Sequence, residues 1–187
     1  MPAPSKTLRP RNRQQWRNWL EKNHTADLTV WVVCTKKNAS RPAISYPDAV
    51  LEALCFGWID GKTLSLDAER FMQSFTKRKP RSAWSGLNKE RVKQLIREGL
   101  MTPAGLDRIN AAKQNGYWSI LDEVEARTIP EDLEAAFRKH PAARAGFTRS
   151  SPSMQKLHLQ SLALAKRPET RQKRIAALVA SMRRMQG

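Results

Sequence analysis

The residues best suited to chemistry crowd into one stretch. Residues 75–91, FTKRKPRSAWSGLNKER, hold six lysines and arginines, one tryptophan, one asparagine and a single acid, Glu90. Arginine offers planar paired donors for a carboxylate or phosphate, and a tryptophan face offers an apolar wall or a cation–π partner. Asn88 and Arg91 are three residues apart, so they share one side of a helix that starts near Ser85. The unpaired N–H groups of such a helix start, with Arg81 and Trp84 just before it, outline an anion site. A solvated basic loop joining two elements accounts for the same residues, and both readings stand at this level.

Outside that stretch the candidates are sparser. Asp60-Gly61 follows Trp58-Ile59; it reads either as a bulge or tight turn, or as a carboxylate that orients an arginine. Arg70 follows an acidic turn and has Asp67 and Glu69 as ready partners, and Lys36 ends an apolar run. The candidate ligand-binding set is therefore Lys36, Arg70, Arg78, Arg81, Asn88 and Arg91 for charge and hydrogen bonds, Trp58 and Trp84 as flat walls, and Asp60 as the orienting group. A catalytic set does not assemble. His24, His140 and His158 are far apart, with no HExxH or Cys/His spacing, and no GxSxG, P-loop or GxGxxG occurs. Cys55 sits at a helix end whose dipole disfavours a thiolate. No catalytic residue, metal or cofactor is assigned, and the reading leans away from an enzyme.

The elements that must position these residues follow from periodicity. A helix begins near Asn12, with Trp16, Trp19 and Leu20 on one face; LTVWVVCTKK reads as a strand and KNASRPAI as a loop. SYPDAVLEALCFG is a helix capped by Ser45, with Val50, Leu51 and Leu54 inward and Gly57 at its end. Residues 58–66 and 70–76 form a hairpin around Asp67-Ala68-Glu69. Next come a helix with Val92, Leu95 and Ile96 inward, and one opened by Thr102-Pro103 that carries Leu106 and Ile109. The acidic run LDEVEARTIPEDLEAA marks a composition shift, Pro130 starts a helix there, and two further helices follow at about 153–165 and 168–184. The expected fold is α+β: a small antiparallel sheet with flanking helices over residues 1–118, then an all-helical module over 119–187. Leu157, Leu162, Ile175, Leu178 and Met182 are expected to dock that module on the N-terminal domain, with Arg171 held by an acid or a carbonyl.

The net charge of +17 over 187 residues is carried in blocks: +5 over residues 1–22, +7 over 77–97 and +11 over 135–187, against −5 over 119–134. Such a surface attracts polyanions, and the attraction fades with salt. The partners expected are an anionic small molecule or an acidic protein, with sequence-tolerant nucleic-acid binding as the alternative. No run reaches the roughly 18 apolar residues a membrane span needs. The N-terminal residues lack an apolar export signal, so a cytoplasmic location is expected.

Four segments carry a family resemblance: ALCFGWIDG, RFMQSFTKRKPRSAWSGLNKERV, GLMTPAG and AKRPETRQKRI. Together they resemble the bacterial YdeI/OmpD-associated (OmdA-like) family of bacteriocin-protection proteins, over most of the chain. The matching positions are Trp58, Asp60, Phe75, Thr76, Trp84, Ser85, Asn88 and Arg91, then Lys166 to Arg171 and Arg174. The resemblance implies a role in stress and antimicrobial-peptide tolerance, places the helical module from about Ile129 to Met185, and brings no catalytic residues. Members described as periplasmic and porin-associated differ from this sequence in the export signal.

Overall fold

The computed structural model describes residues 6–36 and 43–184, so most of the expected KNASRPAI loop lies outside the described residues. After a two-residue strand β1 (Thr7–Leu8), Asn12 caps helix α1 (Arg13–Asn23), its side chain accepting the Gln15 N–H at 3.0 Å. The cap satisfies one of the N–H groups that a helix start leaves orphaned. Trp16 and Leu20, one turn apart, are fully buried, and the Trp16 indole N–H donates to the Ala49 carbonyl at 3.0 Å. The β-branched run makes strand β2 (Thr29–Thr35). After β3 (Ile44–Ser45), Ser45 caps α2 (Tyr46–Cys55) through the Asp48 N–H. Gly57 ends that helix at φ +70°, where a Cβ would also meet Arg108 Cγ at 2.6 Å; dihedral and space both call for glycine.

The hairpin is β4 (Trp58–Ser65) and β5 (Arg70–Lys77), and β5 pairs antiparallel with β2 on its other side. The three long strands are thus antiparallel, while the short β1 and β3 join β2 in parallel, which makes the sheet mixed. Helix α1 is the crossover that a parallel β1–β2 pair requires. Helix α3 (Gly86–Arg97) and α4 (Pro103–Gln114) follow, the second capped by Thr102. Val92 and Leu95 are buried as expected, but Ile96 is 48% exposed, because it stands in the last turn with little to cover it. Leu106 is also exposed: the neighbouring Gly105 brings α4 so close to the Cys55 carbonyl that Leu106 falls to the flank.

The chain divides into two compact units, residues 1–82 with 87–117, and 83–86 with 118–187. The second consists of α5 (Asp122–Glu125), α6 (Glu131–Lys139), α7 (Pro141–Arg149), α8 (Pro152–Ala163) and α9 (Pro168–Arg184). Helices α5 and α7 add to those expected from periodicity. Helices α7, α8 and α9 each begin on a proline, whose missing N–H costs nothing there. Leu162, Ile175, Leu178 and Met182 are buried in this unit's own core with Leu133, Phe137 and Phe147, whereas Leu157 is 57% exposed. Arg171 is held as its helical position foretold: two nitrogens donate to Asp132 at 2.5 and 2.9 Å, and a third to the Leu162 carbonyl at 2.9 Å.

Candidate functional site

Asp60 stands opposite Phe75 near the start of the β4–β5 ladder, and the ladder breaks directly after it, between Asp60 and Thr63. Backbone groups released by a bulge must find other partners. Here side chains of β5 supply them: Lys62 N–H donates to Ser74 Oγ at 2.6 Å, and Gln73 Nε2 donates to the Gly61 carbonyl at 2.9 Å. Thr63 Oγ1 in turn donates to Gln73 Oε1 at 2.6 Å. A Cβ at position 61 would lie 2.9 Å from Ser74 Oγ, so the Asp-Gly pair is a bulge built around the missing side chain.

The bulge leaves Asp60 facing the first turn of α2, where the Tyr46 hydroxyl donates to Asp60 Oδ2 at 2.7 Å. Burial first, and then this bond, push the Tyr46 pKa up to about 12, so the phenol is a neutral donor at physiological pH. Arg78 follows β5, fixed by its own N–H on the Gly57 carbonyl at 2.9 Å, and is only 2% exposed. Burial pulls its pKa down to about 10 against the opposing pull of Asp60, which leaves it charged at neutral pH. On α3, half-buried Arg91 donates to Asn88 Oδ1 at 3.2 Å, and its positive charge acts on Tyr46. Asp60 therefore acts on Arg78 and accepts from Tyr46, and Arg91 acts on that same phenol. Tyr46, Asp60, Gly61, Thr63, Phe71 and Gln73 border an open hollow of about 340 Å³, and neither arginine is among these lining residues.

Of the residues singled out from sequence, Asp60, Arg78, Asn88 and Arg91 belong to this cluster. Lys36 and Arg70 do not: both gather on Asp67, Lys36 through the Asp67 carbonyl at 2.7 Å and Arg70 through its carboxylate at 2.6 and 2.8 Å. Arg70 is five residues along β5 from the partner of Asp60, roughly 16 Å at strand rise. Arg81 is exposed. Trp58 is fully buried, its indole N–H on the His24 carbonyl at 3.0 Å and its ring edge-on to Trp19, so it is core and not an accessible wall. Trp84 is 1% exposed and belongs to the second unit, 5.1 Å from Trp118. Sequence reasoning missed Tyr46: it lies fourteen residues from Asp60, and no periodicity links a helix start to a bulge in the following strand.

Some of the basic charge is paired elsewhere. In the first unit Arg13 and Arg17 both hold the buried Glu52. In the second, Arg144 pairs with Glu134 and Lys156 with Glu125. Among the described residues no helix is long and apolar enough to cross a membrane.

The architecture is that of a two-unit α+β protein, a small mixed sheet with flanking helices followed by a run of helices. The chain belongs to the family described as Domain of unknown function (DUF8412), whose model matches residues 8–108, and residues 126–184 match the family described as Bacteriocin-protection, YdeI or OmpD-Associated (OmdA). The AKRPETRQKRI segment lies within the second match and the other three resembling segments within the first. No curated protein and no solved structure matches the chain.

Proposed function

We propose that this is a non-catalytic binding protein of the bacteriocin-protection group that takes an anionic group, on a small molecule or an acidic partner, at the Asp60 hollow. The observation that supports this most is the linked set of groups: Asp60 acts on buried Arg78 and accepts from Tyr46, and half-buried Arg91 acts on that phenol. Arg78 is desolvated and Arg91 half-buried, and in such a place an incoming carboxylate or phosphate gains more than it would in water. Asn88 steadies Arg91, and Asp60 acts on the Arg78 guanidinium. The proposed setting is the cytoplasm, which suits two buried free thiols, Cys34 and Cys55.

The test is a titration of the full chain with phosphate, citrate and a nucleotide, by calorimetry and thermal shift. Arg91→Ala is expected to weaken anion binding at least fivefold while the melting temperature moves by about 1 °C or less, since Arg91 is bonded only on its own helix. Arg81→Ala should weaken it less. A lower melting temperature in Arg91→Ala with unchanged affinity would make the cluster a scaffold and end this reading.

One observation keeps nucleic acid as the second reading: Lys166, Arg167, Lys173, Arg174, Arg183 and Arg184 are all exposed near or along α9. That surface suits phosphate contacts. Trp84, the tryptophan that base stacking would have used, is buried. Binding to DNA or RNA should then be sequence-tolerant and collapse between low and high salt.

A further inference from the structure

Within the second unit, α6 and α9 leave a groove of about 580 Å³ between them. Its α9 wall is Gln172, Ile175, Ala176, Val179, Ala180 and Arg183, the i, i+3, i+4, i+7, i+8, i+11 series of one continuous helical stripe. Its α6 wall is Asp132, Ala135, Ala136 and Lys139, the same series over two turns, with His140 just past the helix end. From Gln172 to Arg183 the stripe runs roughly 16 Å at helical rise. Ile175 and Val179 form a buried floor, while Ala176 and Ala180 stand exposed on the bank. The groove is long and open, and its banks are alanines that let another backbone come near.

The charges along it are unevenly spread. At one end Asp132 is neutralised by Arg171, beside the uncharged Gln172. At the other end stand Lys139, His140 and Arg183, with no acid among the lining residues there. That end is also where α6 and α9 both finish. A third helix laid antiparallel to them would bring its own N-terminal turn to this cationic end, where acidic residues are favoured both by its dipole and by Lys139 and Arg183.

We infer that the α6–α9 groove is a docking site for an amphipathic helix of a partner protein. The partner helix runs antiparallel to α6 and α9, with a small-residue and aliphatic face inward and Asp or Glu in its first turn. Apolar anchors at i, i+3, i+4 and i+7 fill the groove in the helix-in-groove mode of recognition. This site is separate from the Asp60 hollow and does not depend on it.

The test uses the full chain and two synthetic 14-residue helical peptides with the same Leu/Ala face, one carrying Asp-Glu-Glu and the other Lys-Lys-Arg in the first turn. Fluorescence anisotropy should show the acidic peptide binding at least tenfold more tightly. Ala180→Glu places a charge on an exposed bank and should abolish most of that binding without changing the melting temperature. Lys139→Glu with Arg183→Glu should reverse the preference toward the basic peptide. Ala176→Gln, a bulky neutral change, should weaken both peptides alike, and Arg91→Ala should leave them unaffected. Equal binding of the two peptides, no binding of either, or acidic-peptide binding that survives Ala180→Glu would each overturn the proposal. So would decanoate binding in the groove with no peptide binding, which would make it a site for a small amphiphile.

Discussion

Arg78 and Arg171 are the same residue facing the same kind of partner in two unlike settings. Arg78 is almost wholly out of water near Asp60, and burial pulls its pKa down to about 10. Arg171 is partly solvated, its fork closed on Asp132 and the Leu162 carbonyl; first that side-chain bond raises its pKa, and then burial pulls weakly the other way. The difference lies in which effect wins, desolvation in the first unit and pairing in the second. A guanidinium whose donors are already paired with solvent-facing partners has little left to offer a ligand. One that is desolvated gains more from a nearby anion than a solvated one does. Charge density alone therefore does not mark a site: residues 135–187 carry the largest block, yet the strongly desolvated arginine, Arg78, lies in the first unit.

The largest expected effect breaks or keeps this contrast directly. Asp60→Ala withdraws the carboxylate from the neighbourhood of a buried cation and from the Tyr46 hydroxyl, and should cost about 3 kcal/mol in urea unfolding. Asp132→Ala removes a partly exposed partner and should cost under about 1 kcal/mol. Equal losses for the two aspartates would mean that Arg78 is no more desolvated than Arg171.

A middle-sized effect probes how Asp60 is aimed. In Gly61→Ala the new methyl would press on Ser74 Oγ, the acceptor of the Lys62 N–H. Leaving that donor poorly satisfied should cost about 1–2 kcal/mol. Because the bulge sets the direction of Asp60, the same variant should also bring the Tyr46 titration, followed by ultraviolet absorbance, down from about 12. An unchanged phenol titration would show that Asp60 keeps its place without the bulge.

What could be read from the sequence follows from how local each feature is. The helix starts near Asn12 and Thr102, the Ser45 cap and the hairpin around Asp67 are written within a few residues, and all stand where they were read. At Asp60-Gly61 a bulge was one of the readings the local pattern offered, and the ladder breaks there. Strands β1 and β3 were not, since two residues gain strand character only from a distant neighbour, β2. Helix α7 escaped because PAARAGFTR buries alanine and glycine where a periodic reading looks for large apolar residues. A Cβ on Gly146 would meet the Met182 carbonyl at 2.6 Å, so smallness is the packing signal there. At the candidate site, Asn88 and Arg91 were linked by helical spacing, whereas Tyr46 meets Asp60 only through the fold. Lys36 and Arg70 looked like ligand groups because nothing in their local pattern shows that Asp67 takes them both.

The smallest effect concerns acid. Asp132 is held below its ordinary value of 3.8, chiefly by the side-chain bond from Arg171, with burial acting the other way. A carboxylate whose folded pKa is depressed stabilises the fold above its unfolded value, and that contribution is lost as pH falls through the folded value. Asp132 is about half exposed, so solvent screening keeps its share under about 1 kcal/mol. Asp132→Asn should therefore melt slightly below the parent chain at pH 7 and pH 5, and the gap should close as pH drops from 4 toward 2.5. Arg78 keeps its proton over that whole range. Its burial cost is present below about pH 10 and is relieved only as pH rises through that value, so an Arg78→Met variant should not make the gap to the parent chain narrow in acid by this route. Parallel melting curves of the two variants from pH 5 to pH 2.5 separate a pairing arginine from a desolvated one. If the Asp132→Asn gap stayed constant to pH 2.5, the Arg171 pair would contribute nothing through charge, and the contrast between the two arginines would rest on Arg78 alone.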